Sequence, residues 1–181
     1  MRKWIGYYQN IVSHNICDEI INYSQNQKPL QPSTYSTSSG KSDRSKERVK
    51  MDDGWFRKGE KFYDDIRKSF QEVIQRYQEK HPDFVCQRHT DFRLNKYSYG
   101  GFMSRHVDNI HHSHGQEYGY PQVSALLFLN DNYKGGQLKI SNITYNTKKG
   151  SAIIFPSNFM FPHEVNLITE GTRYSIVTWL M

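Results

Sequence analysis

The sequence predicts a mainly β chain with N-terminal helices, closing into a jelly-roll type barrel flanked by those helices. From Phe84 onward, short segments rich in Val, Ile, Phe, Tyr and Thr alternate with Gly, Asn and Asp turns. Before Phe84, two segments carry apolar residues at helical spacing instead. The length of 181 residues fits one domain with a core of its own. The expected division is 1–83 as a helical cover with a long loop and 84–181 as the β core.

Ile16, Ile20 and Ile21 follow Asn15, a residue type that caps helices, which predicts a helix over about 15–25. Residues 29–54 hold Pro29, Pro32, a Ser/Thr cluster from Ser33 to Ser39, Gly40 and a basic run of Lys41, Arg44, Lys46, Arg48 and Lys50. This is loop chemistry, and its length is that of a lid or binding loop, or else of a solvated connection. Phe62, Ile66, Phe70, Val73, Ile74 and Tyr77 keep a 3.6 period, which predicts a second helix over about 59–80 that stops before Pro82. Strands are expected at 91–98, 102–107, 122–129, 137–140, 143–146, 151–155, 161–166 and 172–180. Such a set under a helical cover reads as a jelly roll, with the helices packed outside one sheet.

Composition narrows the class. Hydrophobic residues are 36%, and the mean hydropathy of −0.82 implies a polar surface. Aromatics at 14% argue against a disordered chain. No apolar run approaches the ~20 residues of a membrane-spanning helix. The stretch from Met1 to Asn10 is basic without an apolar core behind it, so it does not read as a signal peptide. Cys17 and Cys86 are too few for a disulfide framework and read as buried or idle thiols. The expectation is a soluble, cytoplasmic protein. Its charge of +6 leaves acidic partners open, from nucleic acid to carboxylate substrates.

The chemistry concentrates in the β half. His106 and Asp108 are two apart at the end of a predicted strand, so they share a face. With one more histidine they would form the two-histidine, one-carboxylate set that holds non-haem Fe(II) and leaves positions open. The tripeptide alone is weak evidence, because His81-Pro82-Asp83 repeats it at a helix end. The third ligand is best sought in another strand, and His163 lies in one. Arg173 follows ten residues later. A buried arginine is costly unless an anion pairs with it, and a dicarboxylate co-substrate would supply that anion. Taken singly, His163 reads more readily as a core histidine and Arg173 as a surface strand residue. The order and spacing of the four make the joint reading the stronger one.

That order, His-x-Asp, a distant His, then Arg ten residues on, resembles the 2-oxoglutarate/Fe(II)-dependent dioxygenases. Tyr97-Ser98-Tyr99-Gly100-Gly101 ahead of His106 makes it similar to the prolyl 4-hydroxylase branch. Arg105-His106-Val107-Asp108-Asn109, Pro162-His163-Glu164-Val165 and Arg173-Tyr174-Ser175-Ile176 resemble the hypoxia-inducible-factor prolyl hydroxylases and their bacterial relatives. Lys41-Ser42-Asp43-Arg44-Ser45-Lys46, with Trp55 beyond it, is similar to their mobile substrate loop. The likeness runs over roughly 40–180. It implies a double-stranded β-helix in which His106, Asp108 and His163 hold Fe(II) and Arg173, helped by Tyr97, grips 2-oxoglutarate. It also implies molecular oxygen as co-substrate, ascorbate as an optional reductant, and a proline-containing peptide or protein as substrate. No membrane partner is implied.

Trp179, six residues past Arg173, would wall the pocket or serve as a core tryptophan, and Tyr97 reads equally as a strand tyrosine in the core. Two departures stand out: Phe128 occupies the place of a tyrosine that touches the co-substrate in those enzymes, and Met181 comes where they carry a C-terminal helix. His111, His112 and His114 read as solvated loop histidines or a second metal site. Two other functions compete. Oxidative demethylation of nucleic acid suits the charge, but dioxygenases of that type have a second arginine where Trp179 stands. A catalytically silent barrel that binds Zn(II) or no metal would have no need of a buried Arg173.

Overall fold

The computed structural model describes residues 1–36, 42–43, 47–109 and 120–181, with only the backbone described at Ser36, Ser42 and Asp43. A 3-10 turn at Arg2–Trp4 precedes β1 (Gly6–Tyr8), α1 (His14–Asn26), β2 (Gln31–Pro32), β3 (Tyr35–Ser36), β4 (Ser42–Asp43), β5 (Val49–Lys50) and β6 (Asp52–Phe56). After α2 (Tyr63–Lys80) come β7 (Phe92–Tyr97), β8 (Phe102–His106), β9 (Val123–Phe128), β10 (Lys134–Gly135), β11 (Leu138–Ile140) and β12 (Ile143–Tyr145). The chain closes with β13 (Ala152–Pro156), β14 (His163–Val165), β15 (Ile168–Glu170) and β16 (Arg173–Leu180). No helix is long and apolar enough to cross a membrane among the described residues.

Two antiparallel sheets dominate. The larger has the order β1-β13-β9-β16-β7-β6-β2 and the smaller β12-β11-β14-β8-β5, with two-stranded ribbons β3-β4 and β10-β15 beside them. Period-two alternation explains how one strand serves two cores. Val123, Ala125, Leu127 and Leu129 from the β9 region, with Tyr174, Ile176 and Leu180 of β16, pack against α1 and α2. Leu126 and Phe128 of β9, with Val177 and Trp179 of β16, pack instead with Leu138, Ile140 and Val165 of the smaller sheet. Both faces being covered, β9 and β16 are buried along their whole length. The expected mainly β architecture with helices outside one sheet is the one the structure has.

Helix α2 buries Ile66, Phe70, Val73 and Tyr77, the stripe its 3.6 period predicts. Phe70 stacks on Phe92 of β7 at 5.3 Å, and the Tyr77 hydroxyl donates to the Trp4 carbonyl at 2.9 Å.

Several expectations are corrected. The first helix is capped by Ser13, whose hydroxyl accepts from the Ile16 N–H, and not by Asn15, which lies inside the helix. The second starts at Tyr63 and not near residue 59, because Phe62 sits in the left-handed region at φ 68 and breaks the helical path. The 29–54 loop contains β2 to β5 and runs into β6, whose Asp, Gly and Trp content hides a strand that exists because β7 pairs with it. The N-terminal segment adds an edge strand, β1, beside β13.

Phe70→Ala removes a ring wedged between α2 and β7, and denaturant unfolding is expected to show a loss of about 3–5 kcal/mol. Phe159→Ala, at a side chain 81% exposed, is expected to stay within about 0.5 kcal/mol of the parent.

Candidate metal centre

The β7–β8 connection, which carries the chain from the larger sheet into the smaller, sets the site. Its Ser98–Gly101 turn closes through the Gly101 N–H on the Ser98 carbonyl at 2.7 Å, and Gly100 takes φ 72, which glycine adopts without strain. The turn leads β8 into the smaller sheet alongside β14, and His106 and His163 become register partners. Asp108 lies just past β8, where its own N–H donates to the Ser157 carbonyl at 3.2 Å.

Candidate ligand atoms of His106, Asp108 and His163 consequently lie within 4.8 Å of one another, and all three side chains are largely buried. His106 Nε2 is 3.5 Å from Asp108 Oδ1, and His163 Nε2 is 3.4 Å from Oδ2. On the far side of each ring, His106 Nδ1 meets the Ser104 carbonyl at 2.8 Å and His163 Nδ1 meets the Phe161 carbonyl at 3.2 Å. A carbonyl oxygen only accepts, so both Nδ1 atoms carry hydrogen. In the neutral rings this leaves the Nε2 lone pairs facing the carboxylate. The arrangement is that of two imidazoles and one carboxylate prepared to share a cation.

Ser124 and Ser157 support it. The Ser124 hydroxyl donates to Asp108 Oδ2 at 2.6 Å and lies 2.7 Å from the Ser157 hydroxyl, which must therefore donate to it. Sequence reasoning missed both. The available signal was a serine inside the apolar run of Val123–Phe128, where a polar group needs a partner.

The two histidines titrate apart. Burial, reinforced by the neighbouring His163, pushes His106 below the ordinary histidine value. Burial pulls His163 down as well, but the charge of Asp108 and its hydrogen bond outweigh that and leave His163 raised.

Arg173 opens β16 opposite Tyr97 and is 0% exposed. Its Nη1 donates to the Ser175 hydroxyl at 3.1 Å, and its Cζ lies 5.1 Å from the Tyr97 ring centroid and 5.4 Å from that of Phe128. Nε and Nη2 have no hydrogen-bond partner among the described residues. A buried guanidinium with two empty donors fits a carboxylate taken bidentately. Burial raises the Tyr97 phenol against the lowering pull of Arg173, so it stays protonated at neutral pH. Phe128 offers Arg173 a ring face and no hydroxyl, as the sequence comparison anticipates. Trp179 is buried on the same side of β16 as Arg173, 6.1 Å from Trp55.

Other candidates lie elsewhere. His81 stacks on Trp4 at 4.9 Å, and the His81-Pro82-Asp83 copy forms no metal-type cluster among the described residues. His111, His112 and His114, and the basic Lys41, Arg44 and Lys46, lie outside the described residues. The 29–54 segment does reach the centre: the Tyr35 ring stands 6.3 Å from that of His106, and Arg48 donates to the Tyr35 hydroxyl at 2.7 Å.

Comparison with known proteins agrees with this geometry. Residues 92–181 match the 2OG-Fe(II) oxygenase superfamily. A PKHD-type hydroxylase of Rippkaea orientalis is 38% identical over 93 residues, which are 48% of this chain and 40% of that one. A Pseudomonas putida prolyl-4-hydroxylase superposes with a TM-score of 0.74 at 17% identity, covering 98% of this chain and 91% of that one. A Trichoplax adhaerens prolyl hydroxylase, solved with a hypoxia-inducible-factor peptide fragment, gives 0.77 at 19% identity, covering 99% and 84%. The fold is the expected double-stranded β-helix. Residues 92–181 belong to the 2OG-Fe(II) oxygenase superfamily. The chain spans about two fifths of the length of the curated hydroxylases it matches.

In the metal-free protein, NMR titration of the imidazole resonances is expected to show His163 taking its proton at higher pH than a free histidine, and His106 only at lower pH. The reverse order would mean that Asp108 pairs with the wrong ring.

Proposed function

We propose that residues 1–181 form one 2-oxoglutarate- and Fe(II)-dependent dioxygenase domain that hydroxylates a prolyl residue in a peptide or protein. The observation that carries this reading is Arg173, a buried cation with two empty donors, in the same barrel as a His-Asp-His face. The prolyl hydroxylases among the structural neighbours, one of them holding a peptide, support the choice of substrate.

His106, Asp108 and His163 would hold Fe(II). When bound, the metal and 2-oxoglutarate supply the oxidation by molecular oxygen, with succinate and CO2 released and ascorbate serving to keep the iron reduced. The protein's own residues bind, orient and exclude water. Arg173 takes the distal carboxylate of the co-acid, and the protonated Tyr97 hydroxyl is positioned to donate to the same group. Carbonyls of Ser104 and Phe161 fix the imidazole tautomers, and Ser124 holds the carboxylate plane. Leu126, Phe155 and Trp179 keep the barrel apolar around the reacting carbon. Because His163 holds its proton tightly, metal affinity falls as pH drops through its raised pKa, the proton and the cation competing for Nε2.

Anaerobic addition of Fe(II) and 2-oxoglutarate is expected to give a visible charge-transfer band that His163→Ala abolishes. Arg173→Ala should require on the order of 100-fold more co-substrate. No band in a folded, metal-loaded protein would end the oxygenase reading. Ser124→Ala should weaken metal binding about 10–100-fold by releasing Asp108, as read by chelator competition.

A further inference from the structure

Strand β7 turns Phe92 and Leu94 toward the helices, which leaves Arg93, Asn95 and Tyr97 facing the barrel. Tyr97 belongs to the site above, but Arg93 and Asn95 have no part in it. The Arg93 guanidinium lies over the Trp179 ring at 4.8 Å. Its Nε is buried without a hydrogen-bond partner among the described residues, and no ion pair of theirs involves it. Asn95, 4% exposed, buries an Oδ1 that also lacks a partner.

Register places this pair relative to the metal ligands. Trp179 is the partner of Ser124, the residue bonded to Asp108. Arg93 itself pairs with Val177, and its guanidinium reaches over Trp179 toward the row that carries Ser124 and the carboxylate end of the cluster. Arg173, by contrast, pairs with Tyr97, four residues and about 13 Å of strand away from Arg93. The two arginines occupy separate rows. Stacking on an indole fixes the guanidinium plane and leaves its edge free for a planar anion.

We propose that Arg93 is a second anion seat, receiving a carboxylate of the substrate beside Trp179. The inference rests on the oxygenase reading and names its substrate class: a prolyl substrate with a carboxylate on the target residue or on the residue after it. Arg93 makes no ion pair among the described residues, although Asp53 stands on the neighbouring strand opposite Asn95, so a substrate carboxylate supplies a direct partner that neutral analogues do not.

The test uses protein loaded with Zn(II) and saturating 2-oxoglutarate, which binds without turning over, and calorimetry with two matched ligand pairs. The first pair is N-acetylproline and N-acetylprolinamide. The second is N-acetyl-prolyl-aspartic acid amide and N-acetyl-prolyl-asparagine amide, with the aspartate side chain free. The acid of at least one pair is expected to bind about 10–100-fold more tightly than its amide. Arg93→Gln should reduce that preference below about threefold, and Arg93→Lys should restore part of it. A preference in the first pair places the carboxylate on the target residue, and one confined to the second pair places it on the next. Equal affinities in both pairs, no binding by any ligand, or a preference that survives Arg93→Gln overturns the proposal. Turnover of 2-oxoglutarate by iron-loaded enzyme is read separately. Peptide-driven turnover without an acid preference removes the anion seat and leaves the prolyl reading. An Arg93-dependent preference without peptide-driven turnover does the opposite.

Discussion

The alternation of β16 between two buried faces is the constraint on which the rest of the molecule depends. Tyr174, Ile176 and Leu180 are committed to the helices, and Arg173, Ser175, Val177 and Trp179 to the barrel. A slip of one residue would send the guanidinium into the apolar layer under α1 and α2 and turn Ile176 toward the barrel interior. Hydrophobic burial on the helix side thus fixes the register of a strand whose other side carries chemistry. The same register sets Arg173 against Tyr97, and it sets Trp179 against Ser124.

The second sheet contributes the metal face, and its charge balance explains why both sheets are needed. With both imidazoles neutral, a divalent cation on Asp108 retains one positive charge, and Arg173 supplies another. A dicarboxylate dianion cancels both at once. A monocarboxylate would leave either the metal or the guanidinium uncompensated in a barrel built mostly from Leu126, Phe128, Ile153, Phe155 and Val177. On the proposed function, selectivity for a dicarboxylate would follow from the desolvation of two cations held apart on different sheets.

Long, strongly periodic segments were legible in the sequence: α2, β9 and β16 fall within a few residues of their expected bounds. The His-Asp-His cluster was legible too, although Asp108 lies just past β8 and is placed by its own N–H on the Ser157 carbonyl and not by strand alternation. What escaped was whatever tertiary pairing alone creates. β6 is Asp-Asp-Gly-Trp-Phe, poor in strand formers, and it exists because β7 lies beside it. Ser157 has no local signature at all, since its role depends on Asp108 and Ser124 arriving from other parts of the chain. Phe62 in a left-handed conformation is likewise invisible to propensity, which disfavours it.

Arg93 shows the same limit from the other side. Alternation along Arg93-Leu94-Asn95-Lys96 separates Arg93 and Asn95 from Leu94 but does not say which face meets water. In the structure Leu94 faces the helices, and Arg93 and Asn95 face the barrel. The interior is therefore divided. Its β9 and β13 walls are apolar apart from Ser124, while its β7 wall presents a cation, an amide and a phenol. An apolar wall alone would admit any ligand of suitable shape. A polar wall with unmet hydrogen bonds gains stability only from a ligand that meets them, and in that way an interior built from ordinary strand residues discriminates among molecules of similar size.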